Sequence, residues 1–291
     1  MKKKDMPTIG FIGAGTTGTA LAVRLAQHGY RVIAVSSRSL TSAEKLAGRI
    51  SGCKVYNGAQ KIADIAQLVF ITTPDDTISK VAAEVQWHNG QSVVHCSGAH
   101  SVDILEPAKQ RGANTGCFHP LQTFASVDQA IDNIPGSTFA IEAEESLSST
   151  LKEMATALEG DWVTLKAGDK VLYHAAAVFA CNYLVTLVKL ATDLWQTFEV
   201  EVPTAQAIKA LMPLLRGTLS NIENVGLPNC LTGPIARGDL GTISRHLESL
   251  GKQAPPLLNI YKELGQQTIP IALAKGKIDL QRAEELQALL R

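Results

Sequence analysis

Gly13-Ala14-Gly15-Thr16-Thr17-Gly18 stands between two stretches of different character. Thr8-Ile9-Gly10-Phe11-Ile12 before it is a short apolar run that reads as a buried strand. The Ala- and Leu-rich run from Thr19 to His28 after it reads as a helix, and Arg31-Val32-Ile33-Ala34-Val35 follows as a second strand. A lone G-x-G-x-x-G carries little weight, because a plain strand-to-helix turn can have the same spacing. Between a strand and a helix, with a second strand close behind, it is the fingerprint of a dinucleotide site. Each glycine then has a task. Gly13 makes the tight turn, Gly15 lets backbone approach a pyrophosphate, and Gly18 lets the helix pack close to the strand. The N–H groups of the helix start meet the phosphates, so the whole segment, with Ala14, Thr16 and Thr17, is expected to touch the cofactor.

Working outward, alternating strands and helices fill the first half. Strands are expected near 8–12, 31–36, 53–56, 67–72, 91–96 and 114–118, with helices near 16–28, 41–49, 59–64, 76–86 and 101–110. Repeated strand–helix units imply a mostly parallel, doubly wound sheet with ligands at the strands' C-terminal ends. The pattern continues with strands at 137–141 and 162–165 around a helix at 144–158. Beyond that only helices are expected, near 168–198, 203–223, 241–250, 254–265 and 281–290, which divides the chain into domains 1–166 and 167–291.

Composition limits the function classes. The 291 residues are ample for two domains, and 45% hydrophobic residues can fill their cores. A formal net charge of +0 gives no bulk attraction to nucleic acid or an anionic membrane. Lys2, Lys3 and Lys4 read as a solvated tail with no apolar signal segment behind them, so a cytoplasmic protein is expected. Five scattered cysteines without a C-x-x-C fit a reducing compartment. No spacing suits a metal, and no nucleophile has a convincing base. Val171–Val188 has no formally charged residue and is long enough to span a membrane. It also contains His174, Asn182 and Tyr183, and a helix apolar all round can be buried in a core or a subunit interface, which is the reading adopted.

The second strand ends in Ser36-Ser37-Arg38, where an NAD site usually carries a carboxylate for the ribose. Two hydroxyls and a guanidinium suit a 2′-phosphate, so NADP is the expected cofactor. Thr73 and Pro74, at the end of the fourth strand, are expected beside it.

Hydride transfer also needs a proton donor and groups that hold the substrate. His119, after the sixth strand, titrates in the right range. So does His174, which shares the long helix with Asn182. Eight residues advance about 800°, which puts the two within roughly 80° of one another. Ser97 and Gln122 follow strand ends, and Thr232 and Arg237 lie in a loop suited to a substrate anion. Asp239 reads as the cap of the helix that follows. His95, inside a strand, reads as structural.

With these residues assembled, the chain resembles a bacterial family of Rossmann-like NADP oxidoreductases whose C-terminal half is a domain of unknown function (DUF2520). The resemblance rests on the glycine turn, His95-Cys96-Ser97-Gly98-Ala99, Phe118-His119-Pro120-Leu121-Gln122, Tyr173-His174-Ala175-Ala176-Ala177 and Leu231 to Asp239. That family is similar to ketopantoate reductase, pyrroline-5-carboxylate reductase and the 6-phosphogluconate and hydroxyisobutyrate dehydrogenases. The resemblance implies an N-terminal NADP domain, an all-α C-terminal domain of the 6-phosphogluconate dehydrogenase-like type, and a homodimer. The hydroxy-acid relatives place a lysine four residues before an asparagine on the long helix. Counted back from Asn182, that position is Val178. The expectation is therefore an NADP-dependent oxidoreductase acting on a small polar metabolite, a keto or hydroxy acid or an imine. His119, His174 and Asn182 are its candidate catalytic groups. The missing lysine leaves a non-catalytic NADP(H)-sensing protein as the alternative.

Overall fold

Strand β1 (Thr8–Ile12) lies inside an eight-stranded sheet with β2 (Arg31–Ser36), β3 (Lys54–Val55), β4 (Leu68–Ile71), β5 (Ser92–His95), β6 (Asn114–Leu121), β7 (Thr138–Ala143) and β8 (Asp161–Thr164). The computed structural model describes residues 6–166, 168–198 and 202–291; the Lys2–Lys4 tail and Ala167 lie outside them. Spatial order is β3-β2-β1-β4-β5-β6-β7-β8. Every neighbouring pair is parallel except β6 with β7.

Helices α1 (Thr16–Gln27), α2 (Leu40–Ala47), α3 (Ala59–Ile65), α4 (Asp75–Glu84), α5 (Glu106–Lys109), α6 (Val127–Asn133) and α7 (Glu145–Ala157) connect the strands. Strand residues alternate between the faces. In β4, Leu68 and Phe70 pack with α1, α2, α6 and α7, whereas Val69 and Ile71 pack with α3, α4 and α5. Both faces are buried, so these strands read as continuous apolar runs. Rings run across one face: Phe11 stacks on Phe70 at 5.1 Å, and Phe118 stacks on Phe139 at 4.4 Å.

The remaining helices are α8 (Asp169–Ala180), α9 (Asn182–Trp195), α10 (Thr204–Val225), α11 (Leu240–Gln253), α12 (Pro255–Ala274) and α13 (Leu280–Leu289). Contacts group the chain into two compact units, Met1–Cys181 and Asn182–Arg291, with α8 in the first. The second unit has its own core of Ile243, Ile269, Leu286 and Leu290. Asp239 caps α11 as expected, accepting from the Thr242 N–H at 3.0 Å and its hydroxyl at 2.7 Å.

Three expectations need correction. The sixth strand does not stop at residue 118. It runs through His119 to Leu121, because β7 pairs with it beyond Cys117, where β5 ends. The single helix expected at 168–198 is broken at Cys181 (φ −113°, ψ −67°), so the helical phase drawn between His174 and Asn182 does not hold. The segment from Asp169 to Trp195 is apolar and long enough to cross a membrane, yet none of its most apolar window is buried within this chain.

Candidate functional site

The glycine turn is built as its spacing requires. Gly13 has φ +110°, and a Cβ there would lie 2.6 Å from the Thr72 carbonyl. A Cβ on Gly18 would lie 2.3 Å from the Thr72 hydroxyl, so the start of α1 sits directly on the end of β4. Gly15 faces open space, with its nearest neighbour 4.0 Å away. It is also the N-cap of α1, where no side chain caps the helix and no acidic residue occupies the first turn. The N–H groups of that turn and the helix dipole are left for an anionic ligand.

Beside the turn is a cavity of about 490 Å³ lined by Gly13, Gly15, Ser36, Arg38, Thr73 and Pro74, among others. Ser36 is buried and its carbonyl accepts from the Gly13 N–H at 2.8 Å. The Ser37 hydroxyl accepts from the Ser39 N–H at 3.3 Å, while Arg38 is exposed and forms no salt bridge among the described residues. The Thr73 hydroxyl oxygen is buried without a protein partner. A cradle that a Cβ would fill, an uncapped helix start and an orphaned hydroxyl together fit a bound dinucleotide. Ala14 also lines the cavity, and Thr16 and Thr17 open α1.

Along the same sheet edge, beyond β5 and β6, lies a second group of residues. The Ser97 hydroxyl donates to Asp75 Oδ2 at 2.7 Å and accepts from the N–H groups of Ala99 (3.2 Å) and His100 (3.1 Å). Those bonds fix the loop that carries Gly98. A Cβ on Gly98 would lie 2.7 Å from His119 Nε2 and 2.8 Å from His174 Cδ2, so both imidazoles close on this one glycine. His119 Nδ1 is 2.8 Å from the Tyr173 hydroxyl, with the two rings edge to face.

Lys170 completes the group and was missed by the sequence reading. It is 1% exposed, although the neighbouring Val171 and Leu172 on α8 face outward. Its Nζ donates to the Ser97 carbonyl at 2.8 Å and lies 5.4 Å above the Tyr173 ring. Spacing held the signal: Lys170, Tyr173 and His174 stand at i, i+3 and i+4, on one helix face. Burying a lysine is costly without a partner, which marks the position as more than packing.

These surroundings set the protonation states. Burial, then the Lys170 charge, then His174 lower the His119 pKa to about 3. Burial raises that of the Tyr173 phenol well above its ordinary value, with Cys117 adding to it. Near neutrality His119 is therefore an uncharged imidazole and Tyr173 an intact phenol. His119 Nδ1 and the Tyr173 hydroxyl share one hydrogen bond, which leaves Nε2 on the side of Gly98. Histidine's ordinary titration near neutrality was the reason for choosing His119, and this environment removes it. His95 is fully buried, accepts from the Ser97 N–H at 3.1 Å and is likewise lowered to about 3 by burial and Lys170, in keeping with a structural role.

Ser97, His119 and His174 are thus brought together. Gln122 turns elsewhere, toward the Asn133 carbonyl at 3.4 Å and the Ser137 hydroxyl at 3.5 Å. Asn182, Thr232 and Arg237 belong to the second unit. There Asn182 opens α9, Thr232 is exposed, and Arg237 lines a cavity of about 240 Å³ with Lys277, Asp279, Arg282 and Glu285. No group of histidine, cysteine and carboxylate side chains suited to a metal occurs among the described residues.

The chain was compared with known proteins. Residues 2–120 match a Rossmann-like domain, and residues 137–268 match a domain of unknown function, DUF2520. No curated protein sequence matches the chain. Among solved structures, a candidate NADP oxidoreductase from Bacteroides fragilis is 25% identical, with a TM-score of 0.71 over 91% of this chain and 98% of that one. A protein from Thermotoga maritima is also 25% identical, with a TM-score of 0.76 over 92% of this chain and 100% of its own. A reductive aminase from Aspergillus terreus, in complex with NADPH and ethyl levulinate, shares the fold at 17% identity and a TM-score of 0.65, over 98% and 100% of the two chains.

Proposed function

We propose that the chain is an NADP(H)-dependent oxidoreductase of a small polar metabolite. The carrying observation is that an open dinucleotide cradle and a buried Lys170–Tyr173–His119 group lie along one edge of one sheet. Bound NADP(H) supplies or accepts the hydride. Gly13 to Gly18 hold its phosphates, Ser36, Ser37 and Arg38 take the 2′-phosphate, and Thr73 and Pro74 wall the cradle. The Tyr173 hydroxyl fixes the His119 ring, the neutral His119 hydrogen-bonds the substrate heteroatom, and His174 carries the proton. Asn182 orients the substrate, and Thr232 and Arg237 bind its anionic end. The helical domain from 167 to 291 serves substrate binding and dimerisation. A sensing role drew its support from Val178, and Lys170 supplies the ammonium that Val178 lacks.

Exposed apolar side chains in each unit support a homodimer. Val171 and Leu172 on α8 are 70% and 77% exposed, and Val185 on α9 and Leu214 on α10 are each 67% exposed. Each would gain about 1.5–3 kcal/mol on full burial. Five free cysteines suit a reducing cytoplasm. The test is a titration with NADPH and NADH, followed by NADPH oxidation against keto acids, aldehydes and imines. Tight NADPH binding with turnover of at least one class supports the reading, and no binding of either cofactor ends it. A light-scattering mass of 31.1 kDa at micromolar concentration would refute the dimer.

A further inference from the structure

We propose that Ser97 is a positioning residue and not a substrate ligand: its loop seats Lys170 and packs both imidazoles, and Asp75 holds that loop through the Ser97 hydroxyl. This rests on the oxidoreductase reading, which places those side chains around the reacting atoms. The first ground is saturation. A serine hydroxyl has one proton to give and two lone pairs to receive with. The Ser97 hydroxyl gives its proton to Asp75 Oδ2 at 2.7 Å and receives the N–H groups of Ala99 and His100 at 3.2 and 3.1 Å. Its backbone is equally engaged. The N–H donates to His95 Nδ1 at 3.1 Å, and the carbonyl accepts from Lys170 Nζ at 2.8 Å and from the Cys117 thiol at 3.5 Å. No polar atom of Ser97 has capacity left for a substrate, and the residue is 5% exposed.

The second ground is what those bonds connect. They join β5 at His95, β6 at Cys117, α8 at Lys170 and the first turn of α4 at Asp75. Gly98, the next residue, packs against both histidines: a Cβ there would lie 2.7 Å from His119 Nε2 and 2.8 Å from His174 Cδ2. Whatever fixes Ser97 therefore fixes the seat of the ammonium and the packing of both imidazoles. Asp75 directly follows Thr73 and Pro74, which line the dinucleotide cavity, so one turn walls the cradle and holds the loop. Glu142 ties the loop's far end, accepting from the Ser101 hydroxyl and the Val102 N–H, each at 3.2 Å.

Lys170 makes this arrangement consequential. Its buried ammonium is held by the Ser97 carbonyl and forms no salt bridge among the described residues. A buried charge so held prefers water as soon as its acceptor moves. The Asp75–Ser97 bond has an ionised acceptor and belongs to the stronger class, so its loss shifts an equilibrium by about tenfold or more.

The test is acylation of the full-length folded protein by acetic anhydride, read lysine by lysine by mass spectrometry. Lys61, whose side chain is 67% exposed, is the internal reference. Asp75→Ala is expected to quicken acylation of Lys170 by about tenfold or more. Asp75→Asn keeps an oxygen for the Ser97 hydroxyl and should stay near the wild-type rate. So should Asp76→Ala, which removes a carboxylate from the same helix turn but none from Ser97. Ser97→Ala should raise the rate as well, and adding Asp75→Ala to it should raise it no further. The NMR signals of the His119 and His174 imidazoles should move with Asp75→Ala and return with Asp75→Asn. An unchanged Lys170 rate in Asp75→Ala, equal rates in the Ala and Asn variants, or additive effects in the double variant overturns the inference. Should Ser97→Ala fail to fold, the Asp75 and Asp76 variants still decide, since both residues are exposed. A protein that binds neither NADPH nor NADH fails the oxidoreductase reading instead, and the acylation rates are read without it.

Discussion

The Tyr173 hydroxyl lies 2.8 Å from His119 Nδ1, across a helix-to-strand contact that joins α8 to β6. Tyr173 is thereby a positioning residue: it holds the ring edge-on and anchors it through Nδ1. Tyr173→Phe preserves the ring packing and removes the hydroxyl. A neutral hydrogen bond of this kind is worth about 0.5–1.5 kcal/mol. The expected result is a kcat about tenfold lower on whichever substrate is turned over, with NADPH affinity unchanged. An unchanged kcat would show that the ring needs no such anchor.

Acid should unfold this protein through its buried histidines. His95 and His119 have folded pKa values of about 3, below the ordinary value of about 6.5. Between those limits the unfolded chain binds more protons than the folded one, so stability rises with pH through that window. It is complete above about pH 6.5 and is lost progressively toward pH 3, at up to ~1.4 kcal/mol per pH unit for each histidine. Urea midpoints measured from neutrality down to about pH 5 should fall, and His119→Asn should flatten the slope by up to one proton. A flat wild-type profile would contradict the burial argument.

How much was legible follows from what each element depends on. The sheet was readable because strands buried on both faces are short continuous apolar runs, as Leu68-Val69-Phe70-Ile71 is. Helix α6, Val127–Asn133, was not read, because its seven residues bury only Ala130 and show no face. The extension of β6 through His119 depends on β7 pairing with it, a partner distant in sequence. The break at Cys181 has no proline or glycine to announce it. Most instructive is Lys170: in the sequence it is a charge at the edge of an apolar helix, and only the fold turns it inward and leaves Val171 and Leu172 outside. The positive φ of Gly13 and the close seat of Gly18 on Thr72 depend on local spacing, and so were readable.

Thr72 is the common neighbour of Gly13 and Gly18, and this separates two kinds of tight contact. Gly18→Ala meets the Thr72 hydroxyl, a side-chain atom, whereas Gly13→Ala meets Thr72 backbone and also strains a residue at φ +110°. Overpacking and such backbone strain each cost about 1–3 kcal/mol. Thr72→Ala in the same chain removes the hydroxyl but leaves the residue-72 Cβ 2.9 Å away, so it should restore part of the melting temperature lost in Gly18→Ala and none of that lost in Gly13→Ala. Equal rescue of both would mean that the side chain, not the backbone, limits the turn.

Arg38 tests the cofactor assignment most directly. It follows the buried Ser36 at the end of β2, lines the cradle, and has no salt-bridge partner among the described residues. A guanidinium so placed is available for a 2′-phosphate, and a charge-assisted hydrogen bond is worth about 1.5–3 kcal/mol. Arg38→Asp replaces that attraction with repulsion at an exposed position, so the fold should be unaffected. NADPH affinity should fall at least tenfold, while NADH, which has no phosphate there, should bind nearly as before. The two affinities, measured by fluorescence titration on one preparation, decide the matter through their ratio. A loss shared equally by both cofactors would show that Arg38 shapes the loop between β2 and α2 and does not read the phosphate.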